Sequence, residues 1–445
     1  MAFRSFSSDA TLSRRGILRA AAFGGAGAFL AGCTGARGVL AQVAPKIEWN
    51  AVRAIGDRYV SQRKIANYVA AIGFGQQDPE YLYRGPLSIG GNVPAGPDSL
   101  YRIYSMTKPV TGVAASMLID AGKLELDQPL KDILPAFADM HVLTSPTAAV
   151  TSTVPAERDI TIRQLLTHTA GLGYNIIQSG PIRDAYNRAG IVPGQVSRLP
   201  IPGQFSGRPA PSLATFADRL AKLPLVYQPG TRWSYSVSLD LMGRVIEVVS
   251  GQPFDSFLRD NIFGPAGMDS TYFTVPQSEV DRLTTNYGFV AGNLIPIDPA
   301  RSSIYLDKPE FPFGGAGLVS SPRDYDRFNK MLVGYGAIEG RRVVSENAIR
   351  IATSNLLPEG VSLANTWMGG GGYGAGGSVG AGGQEGTYGW AGAAGTAAMV
   401  NMKTGLRAGL FVQYMPTDAQ PLRADFMEAL AKDIEAARAA MKVAA

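Results

Sequence analysis

Apolar residues fall into two spacings along the chain, and their order outlines a fold. Residues 49–62 carry hydrophobic positions at helical intervals, whereas IANYVAAIGF (65–74) and EYLYRGPLSIG (80–90) have the length and β-branched or aromatic content of strands. After DSLYRIYSMTK, apolar Val110, Val113, Ala114, Met117, Leu118 and Ala121 recur three and four apart, and Gly122 supplies a stop. That pattern predicts a helix. Residues 125–270 read as helical pieces between long Pro- and Gly-rich connections, notably 175–211. Connections that long inside a compact domain are usually lids or binding loops. The pattern returns to strands at 396–401 and 406–414 and closes on an amphipathic helix near 420–441. Strands at both ends of a helical middle predict an α/β fold of the α+β type. Its α/β part covers about 49–124 and 275–445, with a mainly helical part inserted at about 125–274.

Composition changes the picture mainly at the N-terminus. The 445 residues are 46% hydrophobic and 17% charged, enough for a large core. Four arginines (Arg4, Arg14, Arg15, Arg19) against Asp9 in residues 1–32 account for most of the +5 net charge. No dense basic run remains, so nucleic acid is not an expected partner. Ser13-Arg14-Arg15-Gly16-Ile17-Leu18 resembles a twin-arginine export signal, and the weakly apolar run after it is too short and Gly/Ala-rich to span a membrane. Leu30-Ala31-Gly32-Cys33 resembles a lipobox, which makes Cys33 the expected lipidated residue, with 33–48 as a tether. The expected product is an exported, periplasmic lipoprotein that meets the membrane only through its lipid.

Two serines compete as nucleophile. Ser378 sits in a literal G-x-S-x-G (376–380), but ten glycines among residues 369–383 cannot supply the strand and helix of a nucleophile elbow. Ser105-Met106-Thr107-Lys108 fits better. Positions i and i+3 share a helix face, so Lys108 can place its amine beside the Ser105 oxygen. Pro109 is tolerated only near a helix start, where free N–H groups and the helix dipole favour developing negative charge. S-x-x-K alone arises about once by chance in a chain this long, so context carries the argument. Tyr235 follows a Pro-Gly turn just before a helix that Ser238 could cap, where its hydroxyl can complete a proton path. His141 and His168 stand apart, and two histidines with one cysteine give no zinc spacing, so neither a Ser-His-Asp triad nor a metal or cofactor is expected.

Ser105-Met106-Thr107-Lys108, LLTHTAGL (165–172), Tyr235-Ser236-Val237, FGGAGLVSSPRD (313–324) and Trp390-Ala391-Gly392 occur in the order of the serine β-lactamase and DD-peptidase superfamily. The chain from about 50 to 440 most resembles the family VIII carboxylesterases, which share the class C β-lactamase fold. The resemblance implies an antiparallel sheet flanked by helices, a Ser105 nucleophile assisted by Lys108 and Tyr235, and a structural turn at His168. It further implies oxyanion donors at the N–H groups of Ser105 and Ala393, with Trp390, Gly392 and Val237 facing substrate. Trp390 and Val237 stand where β-lactamases carry a Lys and an Asn, a change that favours an uncharged acyl ester over an anionic lactam. A literal Lys403-Thr404-Gly405 also occurs, at the tip of a hairpin bracketed by Asn401 and Gly405. An extended chain puts it roughly 33 Å from Ala393, so one of the two triplets can face Ser105 and the other cannot. A carboxylesterase acting on short-to-medium acyl esters is the leading expectation. A β-lactamase, D-amino-acid peptidase or acyltransferase of the same fold comes second, and a non-catalytic cell-wall binding protein third.

Overall fold

The computed structural model describes residues 47–199 and 208–444, so Cys33, the expected leader and most of the expected tether lie outside the described residues. Seven strands make the central sheet: β1 (Tyr68–Phe74), β2 (Glu80–Arg84), β3 (Gly372–Tyr373), β4 (Ser378–Val379), β5 (Thr387–Ala391), β6 (Ala397–Asn401) and β7 (Leu406–Phe411). They lie in the order β3-β4-β5-β6-β7-β1-β2, each antiparallel to its neighbour. The two ends of the chain therefore meet in the sheet, with Val69 of β1 opposite Phe411 of β7.

Five helices matter to the site and its support: α1 (Asn50–Ser61), α2 (Thr107–Asp120), α3 (Ser238–Ser250), α4 (Pro322–Val333) and α5 (Leu422–Ala444). Period-two alternation divides the sheet between two cores. Tyr68, Ala70 and Ile72 of β1 and Leu406, Ala408 and Leu410 of β7 pack with Val52 and Ile55 of α1 and Phe426 and Leu430 of α5. Val69 and Phe411 face the other way, into a larger core that holds Val110, Val113 and Ala114 of α2 and most of the helical middle. That second core runs unbroken from the sheet through α2 to Leu241, Val245 and Ile246 of α3. Asp433 of α5 ties the chain ends together by accepting the N–H groups of Ala51 and Val52, both at 3.0 Å.

Three expected elements are redrawn. The strand expected to reach residue 90 ends at Arg84, because Gly85 turns the backbone to φ +80° and Pro86 has no N–H to continue the ladder. The strand expected over 406–414 stops at Phe411, and Tyr414–Met415 pairs instead with Asn286–Val290 in a separate sheet. The 175–211 connection contains a helix, Pro181–Ala189, entered by a first-turn proline and ended by left-handed Gly190; residues 200–207 lie outside the described part.

On the α2 side of the sheet, Arg407 of β7 is wholly buried and clasps Asp326 of α4, with Nε to Oδ1 at 2.9 Å and Nη2 to Oδ2 at 3.1 Å. Its remaining N–H groups reach the carbonyls of Gly75 and Gln77. The guanidinium fills the space a side chain at Gly73 would need. Removing one member of a buried pair strands the other charge. Asp326→Ala is expected to lower stability by about 3–5 kcal/mol, read from urea denaturation, and Arg407→Met with Asp326→Leu by much less than the sum of the single changes.

Candidate active site

Ser105 occupies a short 3-10 turn (Tyr104–Met106) that leads directly into α2, so it stands just ahead of the first α-helical residue, Thr107. The preceding Tyr104 adopts φ +42°, a costly backbone for a bulky residue. Its hydroxyl is anchored by the Asn286 amide at 3.1 Å, and its ring lies against Tyr305. One turn on, Lys108 is fully buried. Its Nζ lies 3.3 Å from Ser105 Oγ and donates to the Gly315 carbonyl at 2.7 Å. Thr111 Oγ1 donates to Gly314 O at 2.7 Å and Leu318 N to Thr107 Oγ1 at 3.1 Å, so α2 and the 313–320 segment form one unit.

Tyr235 comes from the segment just ahead of α3, and its hydroxyl donates to Ser105 Oγ at 2.8 Å. Backbone pairing sets that position. Gly230 N–H reaches Thr169 O at 2.8 Å, Ser234 N–H reaches His168 O at 2.9 Å, and Val237 N–H reaches Gly173 O at 3.1 Å. His168, with φ +57°, shapes this turn, and its Nδ1 accepts from Ser236 N–H at 3.2 Å. This is the turn role expected of it. Ser238 does not cap α3; Val237 stands at the cap position, and the Ser238 hydroxyl pairs with Ser236 Oγ at 2.7 Å.

The third edge is β5. Trp390 pairs with Ala398 and Ala391 with Ala397, while Lys403 and Thr404 hang at the opposite end of β6, their N–H groups held by the Asn401 side chain at 3.0 and 2.9 Å. Gly392 abuts the backbone of Ile103, two residues before Ser105. Trp390-Ala391-Gly392 therefore borders the serine. Lys403-Thr404-Gly405 borders the turn after β1, where Gly75 N–H bonds Gly405 O at 2.9 Å. Ala393 follows in the β5–β6 turn, its carbonyl tied to Thr417 Oγ1 at 2.8 Å.

Within this edge the structure differs from the open pocket wall that was expected. Trp390 and Val237 have no exposed surface. The Trp390 indole N–H donates to the Tyr235 hydroxyl at 3.3 Å, and its ring packs against Tyr235, Trp367 and Tyr373. The space a side chain at Gly392 would take is filled by Ile103 and Thr396, and that at Gly395 (φ +88°) by Val412 and Tyr414, so protein rather than substrate requires these glycines. Ser378 lies in β4 with its hydroxyl on Gly389 O at 3.0 Å, and no helix follows it. The glycine-rich run has a packing use: Gly376, at φ +74°, lies against the Lys108 carbonyl, and Gly112 of α2 against the Ala375 backbone.

Charge in the site is unevenly held. Lys108 Nζ sits 4.6 Å from the Tyr235 ring centroid and 5.7 Å from that of Tyr174, placements over ring faces that suit a cation. Burial, then the Lys108 charge, hold His168 well below its ordinary value. Burial pushes the Asp240 carboxyl up to about 6, against the pull of Lys108. Sequence reasoning passed over Asp240, Tyr174, Trp367 and Tyr373, and gave Gly315 no role beyond its place in FGGAGLVSSPRD (313–324). An acid in the first turn of a helix reads as an ordinary dipole partner, and nothing local showed that Asp240 would be buried. Among the described residues no group of three or more His, Cys, Asp or Glu side chains is placed to hold a metal, and no helix is long and apolar enough to cross a membrane.

Fold and site together define a class: helix-flanked antiparallel sheets that present a serine at a helix start between a lysine and a tyrosine. The Beta-lactamase family model matches residues 52–432, and the chain belongs to that family. Among relatives, Protein Rv1367c of Mycobacterium tuberculosis is 37% identical over 275 residues, 62% of this chain and 64% of that protein. Esterase EstB of Burkholderia gladioli is 29% identical over 289 residues, 61% of this chain and 66% of EstB. The match thus spans just under two thirds of each relative. The solved structure of EstCE1, described as a hydrolase with promiscuous acyltransferase activity, superposes with a TM-score of 0.69 at 23% identity, covering 86% of this chain and 97% of that one.

The depressed His168 sets a pH test. The unfolded histidine gains a proton near its ordinary pKa of about 6.5, and the folded one does not, so its contribution to stability is lost as pH falls below that value. Urea denaturation at pH 7.5 and 5 should show wild type losing more stability on acidification than His168→Asn, a residue that tolerates the same left-handed backbone.

Proposed function

We propose that this protein is a serine hydrolase of carboxylic esters that works through an acyl-enzyme on Ser105. The observation that carries the proposal is the convergence of Lys108 Nζ and the Tyr235 hydroxyl on Ser105 Oγ, at 3.3 and 2.8 Å, at the start of α2. A serine hydroxyl needs a neighbouring base, and two ionisable groups in contact share protons as a pair. Lys and Tyr side chains both have ordinary pKa values of about 10, so one of them must be made basic by the other. Ser105 attacks the ester carbonyl as the pair takes its proton. The N–H groups of Ser105 and Ala393 receive the oxyanion, and the pair returns the proton to the leaving alcohol. Water, or an acceptor alcohol, activated by the same pair then releases the acyl group.

Esters rather than anionic lactams suit the edge beside Ser105, because position 390 holds an indole packed against Tyr235 and presents no ammonium. A substrate carboxylate left without a partner there would be costly. The EstB and EstCE1 descriptions support the same chemistry. For the exported form we place the protein in the periplasm, attached to the membrane through lipid on Cys33, on the strength of the Leu30–Cys33 motif.

Hydrolysis of short p-nitrophenyl esters should fall at least about 10³-fold in Ser105→Ala and about 10²–10⁴-fold in Tyr235→Phe, with far-UV circular dichroism unchanged. Wild type should turn over a chromogenic cephalosporin much more slowly than these esters; the reverse preference would remove the ester assignment. Cys33→Ser should shift the expressed protein from the membrane pellet to the soluble fraction, and an unchanged distribution would remove the anchor.

A further inference from the structure

Asp240 is an ionisable side chain of the site that these acyl-transfer steps do not use. It lies in the first turn of α3 with no exposed surface. Its Oδ1 accepts from Gly315 N–H at 2.8 Å, and its Oδ2 has no hydrogen-bond partner. The carbonyl of that same Gly315 accepts from Lys108 Nζ at 2.7 Å. One glycine therefore separates the carboxylate from the amine, and only glycine fits, since a side-chain carbon at 315 would stand 2.6 Å from Asp240 Oδ2.

A buried carboxylate with one hydrogen bond is costly unless a counter-charge compensates it, and a buried ammonium is costly for the same reason. The other titratable groups around the pair do not supply that charge. His168 is held neutral by burial and by Lys108. Burial keeps the phenols of Tyr174 and Tyr373 protonated, with Asp240 adding to the effect at Tyr174. Tyr235 lies under the Lys108 amine, 4.6 Å from Nζ to its ring centroid. That leaves Asp240 and Lys108 as the charges that balance each other.

We propose that Asp240 is a positioning residue whose carboxylate holds Lys108 as an ammonium, so that Tyr235 is the group that takes the proton from Ser105. The proposal rests on the acyl-transfer reading above and names the base within it. The reactive form carries one proton fewer than ammonium plus phenol. With the carboxylate one glycine from the amine, that form is ammonium with phenolate rather than amine with phenol. The Ser105 O–H proton passes to the Tyr235 oxygen as Oγ bonds the ester carbon and the carbonyl electron pair moves onto oxygen. Collapse expels the alkoxide, which takes the proton back from Tyr235.

Asp240→Asn keeps an oxygen for Gly315 N–H and removes the charge. With the ammonium less favoured, the shared proton leaves at lower pH. The acid limb of kcat/KM for a p-nitrophenyl ester should therefore move down by about one pH unit, and kcat on the plateau should fall. An acid limb that stays in place or moves up would overturn the proposal. A second measurement needs no turnover and keeps the test open whichever variant folds poorly. Lys108→Met leaves Asp240 as an unbalanced buried acid, so this variant should lose more thermal stability than wild type between pH 5 and pH 8. Adding Asp240→Asn to it should restore stability at pH 8 but not at pH 5. Equal melting of Lys108→Met and the double variant at pH 8 would mean that the two charges are not partners. Because this cycle reads stability alone, a wild type without ester hydrolysis would defeat the functional reading and still leave the charge pairing decided.

Discussion

The site depends on the burial of an amine. Lys108 has no exposed surface, and taking an ammonium out of water costs several kcal/mol even after the protein relaxes around it. Its neighbours are arranged to meet that cost. Gly315 turns a carbonyl toward it, the Tyr235 and Tyr174 rings lie beneath it, Ser105 Oγ is in reach, and Asp240 stands one residue away. The groups that surround a buried lysine are thus the ones that bring a serine hydroxyl, a phenol and an amine together.

Three distant segments have to be locked to keep that arrangement. The 313–320 segment is fastened to α2 through Thr107 and Thr111, and the 228–237 segment is paired to the His168 turn. The β5 edge is seated on Ile103 because Gly392 lets the two backbones meet. Trp390 links the last two, since its indole N–H lies on the Tyr235 oxygen. The indole N–H is a dipole and brings no net charge to the edge beside Ser105. This substitution of a dipole for an ion is the physical ground for the ester preference proposed above.

Much of this was legible in the chain because it is local. The i, i+3 spacing of Ser105 and Lys108, the proline that limits where their helix can begin, and the hairpin signals around Asn401 and Gly405 each follow from a few adjacent residues. That only one of the triplets Trp390-Ala391-Gly392 and Lys403-Thr404-Gly405 can face Ser105 needed only the rise of an extended chain, and the family resemblance pointed to the first. What stayed hidden depends on approach between segments far apart in sequence. Asp240 reads as a first-turn acid until Gly315 arrives from 75 residues away. Trp390 reads as a pocket wall until Tyr373, Trp367 and Tyr235 close over it. The strands ended early at Arg84 and Phe411 for reasons of pairing as well as local backbone, and the helix at Pro181–Ala189 was masked by the polar, Pro/Gly-rich character of its surroundings.

The most direct measurement is to trap the acyl group. Wild-type protein would be mixed with a p-nitrophenyl ester, quenched in acid within the first turnovers, digested and read by peptide mass spectrometry. A single acyl adduct is expected on Ser105, at close to one per chain and absent from Ser105→Ala. An adduct on Ser378 or another residue, or ester hydrolysis that persists in Ser105→Ala, would contradict it.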